Sequence, residues 1–343
     1  MLRQRVWGRL LVPACVAIAF TFHGCGKKAT TDLEDVTYRL KWLFNVSVAG
    51  SLYAHEHGIF QDHGLRVTLK EGGPERDAIK ELELGHAQFG VASADQVIRA
   101  LSKGAPIVVI AQVFQANPLQ WIYRPERTSF NAARDLRGKT IGITYGGNDE
   151  TIMRALLSKH QISNDEVRLY SVRYDYTPFY NGEVDLWPVY QNAEGVVIGE
   201  KLRKGGELVG FVNPDALGVR FVANAVITTE ALWNERPQLI KAFVQALLQG
   251  WQVALDPANK EEAVETTQQF DNDTPVNLIR KQLAATKILV KPSPETVIGS
   301  IDVAAWAQTE RIMLTQNLIP QPVCVEGTLK SPLGTANLKP PAK

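Results

Sequence analysis

The chain has 343 residues, 45% of them hydrophobic and 21% charged, with 37 Lys and Arg against 36 Asp and Glu. That length exceeds one small core and suits two lobes of ordinary size. The balanced charge lacks the basic surplus that nucleic-acid binding uses, and after residue 25 no apolar run approaches the ~20 residues a bilayer crossing needs.

The N-terminus has a different character. Arg3, Arg5 and Arg9 precede an uncharged apolar run from Leu10 to Phe22, the pattern of an export signal rather than of a structural helix. It closes on Gly24-Cys25, a small residue before a cysteine, which resembles a bacterial lipobox with Cys25 as the lipidated mature N-terminus. Phe22 and His23 depart from the small or aliphatic residues usual there, and ordinary export is the alternative. The polar stretch that follows suits a tether. Removing the signal takes away three arginines and no acid, tipping the rest slightly acidic. Cys15 lies in the signal and Cys324 stands alone, so no disulfide framework is expected. The six histidines are scattered among polar neighbours with no metal-ligand spacing, and read as surface residues.

From residue 36 strands and helices alternate. Tyr38–Leu43 reads as a strand running into a polar turn with Asn45 and Ser47, then a helix, then a strand at Leu65–Leu69. Helices follow at Ile79–Leu84 and Ala94–Leu101, and strands at Ala87–Val91 and Ile107–Val113, the last a continuous apolar run expected to be buried on both faces. Such alternation implies a mainly parallel sheet, with ligands just past the strands' C-terminal ends. A second unit opens near Gln120. It has strands at Trp121–Tyr123, Thr140–Thr144, Val167–Val172 and Val184–Trp187, a glycine-closed helix over 131–138, and helices at Glu150–Lys159 and Gly195–Lys204. Asn148 is the expected N-cap of the helix after Gly146-Gly147. Phe221–Thr228 reads as a strand returning to the first lobe. The last quarter is helical: Pro237 suits a first helical position, and Leu239, Phe243, Leu247 and Trp251 form one buried face. Further helices are expected at Ser293-Pro-Glu and Asp302–Thr315. The tail from Ser331 is polar and proline-rich, a composition associated with disorder.

The segments KWLFNVSVAGSLYAHEHGIF (41–60), Gly72-Gly73-Pro74, ELGHAQFGVASADQVIRA (83–100), KGAPIVVIAQVFQ (103–115), DLRGKTIGITYGGNDE (135–150), NGEVDLWPVY (181–190) and TTEALWNERPQLIKAFVQALLQGW (228–251) occur in an order and spacing that resembles bacterial ABC-transporter substrate-binding proteins of the group related to thiamine-pyrimidine synthases. The likeness covers roughly residues 36–330. The SAD step and the Trp187-Pro188 pair resemble the pyrimidine-binding branch more than the taurine, sulfonate and nitrate binders. The resemblance implies an α/β two-lobe clamshell of the type II periplasmic-binding-protein kind, each lobe a mainly parallel sheet flanked by helices. It implies a signal peptide over 1–24, a lipoprotein tether over 25–35, lobe 1 over 36–117 plus 225–330, lobe 2 over 118–224, and a flexible tail over 331–343. Implied partners are a small heterocyclic ligand between the lobes and the permease and ATPase subunits of an importer. Membrane contact would be through the lipid anchor alone, and the protein would be a monomer.

Candidate ligand contacts follow predicted strand ends: Trp42, Asn45, Ser93, Asp95, Gln115, Tyr145, Gly146, Gly147, Asn148, Glu150, Trp187 and Tyr190. Trp42, Tyr145, Trp187 and Tyr190 are flat faces for ring stacking, or alternatively core aromatics. Asn45 offers a donor and an acceptor to an aminopyrimidine edge, or holds its own turn; in the resembled branch the matching asparagine contacts ligand. Asp95 and Glu150, near helix starts, either accept from a ligand amino group or compensate the helix dipole. Carboxylates there would repel an anion in a dry cleft, which favours a neutral or amine-bearing ring over a sulfonate. Gly146 and Gly147 let backbone approach a ligand or simply form a tight turn. Asp185 and Asp215 are weaker candidates.

Pyrimidine synthases that share the implied fold use a histidine and a cysteine-rich segment with iron. Here no cysteine lies between 26 and 323 and no histidine follows Trp42 in its turn, so the chain reads as a binding protein, not an enzyme, with no cofactor expected. The alternatives are a sulfonate-, nitrate- or taurine-type binder, a flavin binder, and a sensor ectodomain.

Overall fold

In a computed structural model the described residues are Leu2, 32–73, 75–173, 175–334 and 338–339. The signal segment, Cys25 and the first part of the tether lie outside them. Contacts divide the chain into Met1–Asp32 and Leu33–Lys343, and every strand and helix named below belongs to the second unit.

From Glu34 the chain forms β1 (Glu34–Arg39), α1 (Ala49–Glu56), α2 (Ile59–Asp62), β2 (Leu65–Lys70), α3 (Ala78–Glu83), β3 (Phe89–Ala92), α4 (Ala94–Leu101) and β4 (Ile107–Gln112). It crosses into a second set: β5 (Leu119–Tyr123), β6 (Thr140–Ile143), α5 (Asn148–Lys159), β7 (Arg168–Ser171), α6 (Thr177–Asn181), β8 (Leu186–Tyr190), α7 (Glu194–Lys204) and β9 (Gly210–Val212). It returns as β10 (Ala225–Thr229) and ends in α8 (Glu230–Glu235), α9 (Pro237–Ala254), α10 (Lys260–Phe270), α11 (Val276–Val290), the short β11 (Ile301–Asp302) and α12 (Val303–Thr315). In the tail, β12 (Leu338–Lys339) pairs in parallel with β11.

Two five-stranded sheets result, in the orders β2-β1-β3-β10-β4 and β7-β6-β8-β5-β9. In the first, β1 is parallel to β2 and β3, while the returning β10 runs antiparallel to β3 and β4. In the second, β6 is parallel to β7 and β8, and β5 is antiparallel to β8 and β9. This is the two-lobe α/β arrangement that the alternation implies, each sheet carrying antiparallel strands where the chain changes lobe.

Each sheet is apolar on both faces because helices cover both. One face of the first sheet packs Val36, Tyr38, Phe89 and Val108 against Phe243, Leu247 and Trp251 of α9, the face expected from their four-residue spacing. Its other face packs Val109 and Ile227 against Val97 of α4 and Trp306 of α12. Hence all six residues of β4 are buried. The second sheet likewise packs Trp121 and Ile143 against α5 on one face, and Ile122 and Val189 against Ile198 and Leu202 of α7 on the other.

The expected boundaries shift in places. The first strand ends at Arg39 rather than Leu43, because the β2 strand turns back: the Leu40 amide still bonds Lys70, but the Gly72 amide donates to the Trp42 carbonyl at 3.0 Å. The return strand starts at Ala225 rather than Phe221; residues 221–224 form the crossing, where the Val113 amide donates to Asn224 across the two connections. No helix forms at Ser293–Glu295. Gly147, not Asn148, caps α5.

Candidate ligand-binding cleft

The strand ends of both lobes face one another through Lys41. It lies two residues past β1, and its Nζ donates to the Tyr190 hydroxyl, at the end of β8, over 2.9 Å. The ammonium also lies 5.6 Å from the centre of the Tyr190 ring. Glycine at 72 is required beneath it: a Cβ there would stand 2.0 Å from the Leu40 carbonyl oxygen, so the Glu71–Gly72 loop can press on the backbone that presents Lys41. Burial alone would lower the Lys41 pKa, but Tyr190, Asp95 and Asp149 outweigh it and hold the ammonium above its ordinary value. A pocket of about 60 Å³, open to solvent, is lined by Lys41, Gly73, Arg76, Val91, Ala92 and Gln96. It lies at the C-terminal ends of β1 and β3, where parallel α/β sheets place ligands.

Ser93 caps α4 in a capping box: its amide and hydroxyl both donate to Gln96 Oε1, at 3.1 and 2.9 Å. The next turn residue, Asp95, is 3% exposed, and its Oδ1 has no hydrogen-bond partner among the described residues. A buried carboxylate oxygen without a donor is costly and uncommon.

Across the cleft, the Tyr145–Glu150 turn uses its acids on itself. Asp149 Oδ2 accepts from the Thr144 amide at 2.6 Å, and burial raises the Asp149 pKa against the pull of backbone donors. Glu150 Oε2 accepts from the Gly146 amide at 2.7 Å, while its Oε1 pairs with Arg154 at 2.8 Å. Gly146 adopts φ +80° and a Cβ on Gly147 would meet Asp149 Oδ1 at 2.4 Å, so both glycines serve the turn. Asn148 opens α5 half-buried, and Tyr145 is 56% exposed.

The remaining candidates divide. Trp42 is 36% exposed beside Lys41. Asn45 is half-buried and its Oδ1 caps the short 3₁₀ turn at Val46–Val48 by accepting from the Ser47 amide at 2.8 Å, the turn-holding alternative. The Gln115 side chain donates to the Gln112 and Ser300 carbonyls and accepts from the Ser300 hydroxyl, which ties it to the connection after α11.

Trp187 needs correction as a stacking face. It is 2% exposed, within β8, packed edge-on to Tyr176 at 5.9 Å and tilted on Phe179 at 6.3 Å. Expected past a strand end, it is inside a strand because β8 continues through Pro188. Proline is tolerated there because β6 meets β8 only at Ile141–Leu186, so the proline removes no ladder bond.

Lys41 is not among the expected contacts, although a lone cation inside the apolar KWLF run is a visible signal. Asn192 is not among them either. Fully buried, it donates from Nδ2 to the Ser47 and Thr286 hydroxyls, linking the first lobe's turn to α11, and its Oδ1 has no partner among the described residues. Nearby Glu194 accepts from the Tyr190 amide, and burial raises its pKa. No cluster of three metal-ligating side chains occurs among the described residues, and no helix among them is long and apolar enough to cross a membrane.

Residues 45–261 match the family model described as NMT1/THI5 like. The chain belongs to the NMT1/THI5-like family. Two curated relatives are matched over nearly their whole length. A formylaminopyrimidine-binding protein of Halalkalibacterium halodurans is 24% identical over 328 residues, 94% of this chain and 98% of the relative. The riboflavin-binding protein RibY of Chloroflexus aurantiacus is 24% identical over 340 residues, 92% of each. The relatives also include an enzyme: a 4-amino-5-hydroxymethyl-2-methylpyrimidine phosphate synthase of Legionella pneumophila is 24% identical over 234 residues, covering 67% of this chain and 72% of the enzyme. Among solved structures, the periplasmic aliphatic sulphonate-binding protein SsuA of Escherichia coli superposes with TM-score 0.70 at 15% identity, over 87% of this chain and 92% of that one. That likeness establishes the two-lobe binding-protein fold.

Proposed function

We propose that this protein is the solute-binding component of an ABC importer and that it holds a small aromatic heterocycle, first of all a thiamine pyrimidine precursor, between its lobes. The observation that carries the reading is the contact of Lys41 with Tyr190, which draws strand ends of both lobes to one point. Exposed Trp42 and Tyr145 from opposite lobes supply flat surfaces for a ring. Asp95 favours a ligand that donates a hydrogen. The case against an anion rests on Asp95 alone, because Asp149 and Glu150 spend their oxygens on their own turn. A flavin is the second reading, favoured by the RibY relative, which covers the chain as fully as the pyrimidine binder does.

A binding role without catalysis, export, a lipid on Cys25 and permease and ATPase partners belong to the same proposal. They are supported by the relatives named as binding proteins and by the Arg3–Phe22 and Gly24-Cys25 patterns. Native mass spectrometry of protein purified without denaturation tests the ligand class. A carried nitrogen heterocycle is expected; a carried alkanesulfonate would contradict it. Intact-mass analysis of Cys25 after expression in a lipidating host tests the anchor, and an unmodified thiol would remove it.

A further inference from the structure

Lys41 and Asp95 are both more than their local structure requires. Asp95 is at the second position of α4, where a carboxylate favours the helix dipole, but dipole compensation is achieved equally by an exposed acid. This one is 3% exposed with Oδ1 unbonded among the described residues. Lys41 carries three N–H donors, and the described contacts use one of them, on Tyr190. Asp95 is one of the groups, with Tyr190 and Asp149, whose charge holds the Lys41 ammonium above its ordinary value. Gln96, the residue after Asp95, lines the same pocket as Lys41.

We infer that Lys41 and Asp95 together read one hydrogen-bonding edge of the ligand. Asp95 Oδ1 accepts from a ring N–H or exocyclic amino group, and Lys41 Nζ donates to the adjoining ring nitrogen or carbonyl. The class this selects is an uncharged ring with a donor beside an acceptor. A 4-aminopyrimidine has such an edge in its amino group and neighbouring nitrogen, and an isoalloxazine has one in its imide. An alkanesulfonate offers only acceptors and would place negative charge against the unbonded Asp95 oxygen. Because Lys41 also bonds Tyr190 of the other lobe, the residue that reads the ligand is the one that spans the cleft. The inference rests on the heterocycle reading and deepens it by naming the specificity-determining pair.

The test is a calorimetric cycle on the full chain with two probes, 4-amino-5-hydroxymethyl-2-methylpyrimidine and the same ring without its 4-amino group. Riboflavin and methanesulfonate serve as further titrants. Wild type should lose affinity on the order of ten- to hundredfold when the amino group is deleted, as for a hydrogen bond to a charged group. Asp95→Asn should lose a similar factor for the amino probe and be nearly indifferent to the deletion. Lys41→Met and Lys41→Gln should weaken both probes. If the amino probe binds wild type and the variants alike, or if deletion costs the same in wild type and Asp95→Asn, the pair does not read the edge, and this inference alone falls. If wild type ignores both pyrimidines and riboflavin but binds methanesulfonate, the heterocycle reading falls and the inference with it. The ligand-side deletion on wild type needs no variant, so a misfolded Asp95→Asn leaves the first comparison decisive.

Discussion

At the scale of single residues, Asp215 gives the clearest pH dependence. It lies in the connection between β9 and β10, and burial pushes its carboxyl up to about 6, with Asp302 adding to the rise and Arg220 opposing it. The folded chain therefore holds this proton more tightly than the unfolded chain does. Stability falls as pH rises from about 4 to about 6, and the full penalty persists above that. Asp215→Asn should stabilise the protein by about 1 to 3 kcal/mol at pH 7.5 and change little near pH 3.5, as measured by urea unfolding at both values. Trp187→Ala removes a ring packed among Tyr176 and Phe179 and should cost about 3 to 5 kcal/mol, while the folded fraction keeps its ligand affinity. Unaltered unfolding with lost affinity would return Trp187 to the cleft. Asn45→Ala should cost about 1 kcal/mol through its lost cap, read from thermal unfolding. Asn45 shows why single residues were only partly legible: the sequence offered a ligand contact and a turn cap, and the observed Oδ1 makes the second. Lys41 and Asp95 depend on which groups tertiary packing brings near, and no local pattern states that.

At the scale of elements, the helices α1 and α9 cross with their backbones nearly touching. A Cβ on Gly50 would lie 2.3 Å from the Trp251 ring, and one on Gly250 would lie 2.4 Å from the Gly50 carbonyl oxygen and 2.5 Å from the Ala54 methyl. Gly250→Ala should therefore force the helices apart and destabilise by about 1 to 3 kcal/mol, although alanine is the better helix former. A stabilised variant in chemical unfolding would contradict that crossing. Elements with a strong apolar pattern, such as β4 and α9, were readable because burial on both sheet faces gives an unbroken apolar run and burial of one helix face gives a four-residue spacing. Strand ends were less readable. β8 runs on through Pro188, which stands opposite Trp121 of β5, and the crossing at 221–224 shares the apolar character of the strand it precedes.

At the scale of the whole molecule, the lobes are joined by more than their connecting strands. Besides the Lys41–Tyr190 contact, Asn192 bonds Ser47 and Thr286, and Gln282 donates to the Ala193 carbonyl. Lys281 of α11 pairs with Glu200 of α7 at 2.6 Å. Helix α11 thus braces the second lobe against the first, and ligand closing the cleft would act on contacts already poised there. The two-lobe architecture was legible from the alternation of strands and helices and from a family likeness spread along the chain. The polar composition of the cleft was legible only as a set of acids, not as which of them keep an oxygen for a guest. Calorimetric titration of the purified protein with formylaminopyrimidine, riboflavin and taurine tests the central claim most directly. The account predicts saturable binding of a heterocycle, abolished or strongly weakened in Lys41→Met, and none of taurine. Tight binding of taurine with indifference to both rings would contradict it.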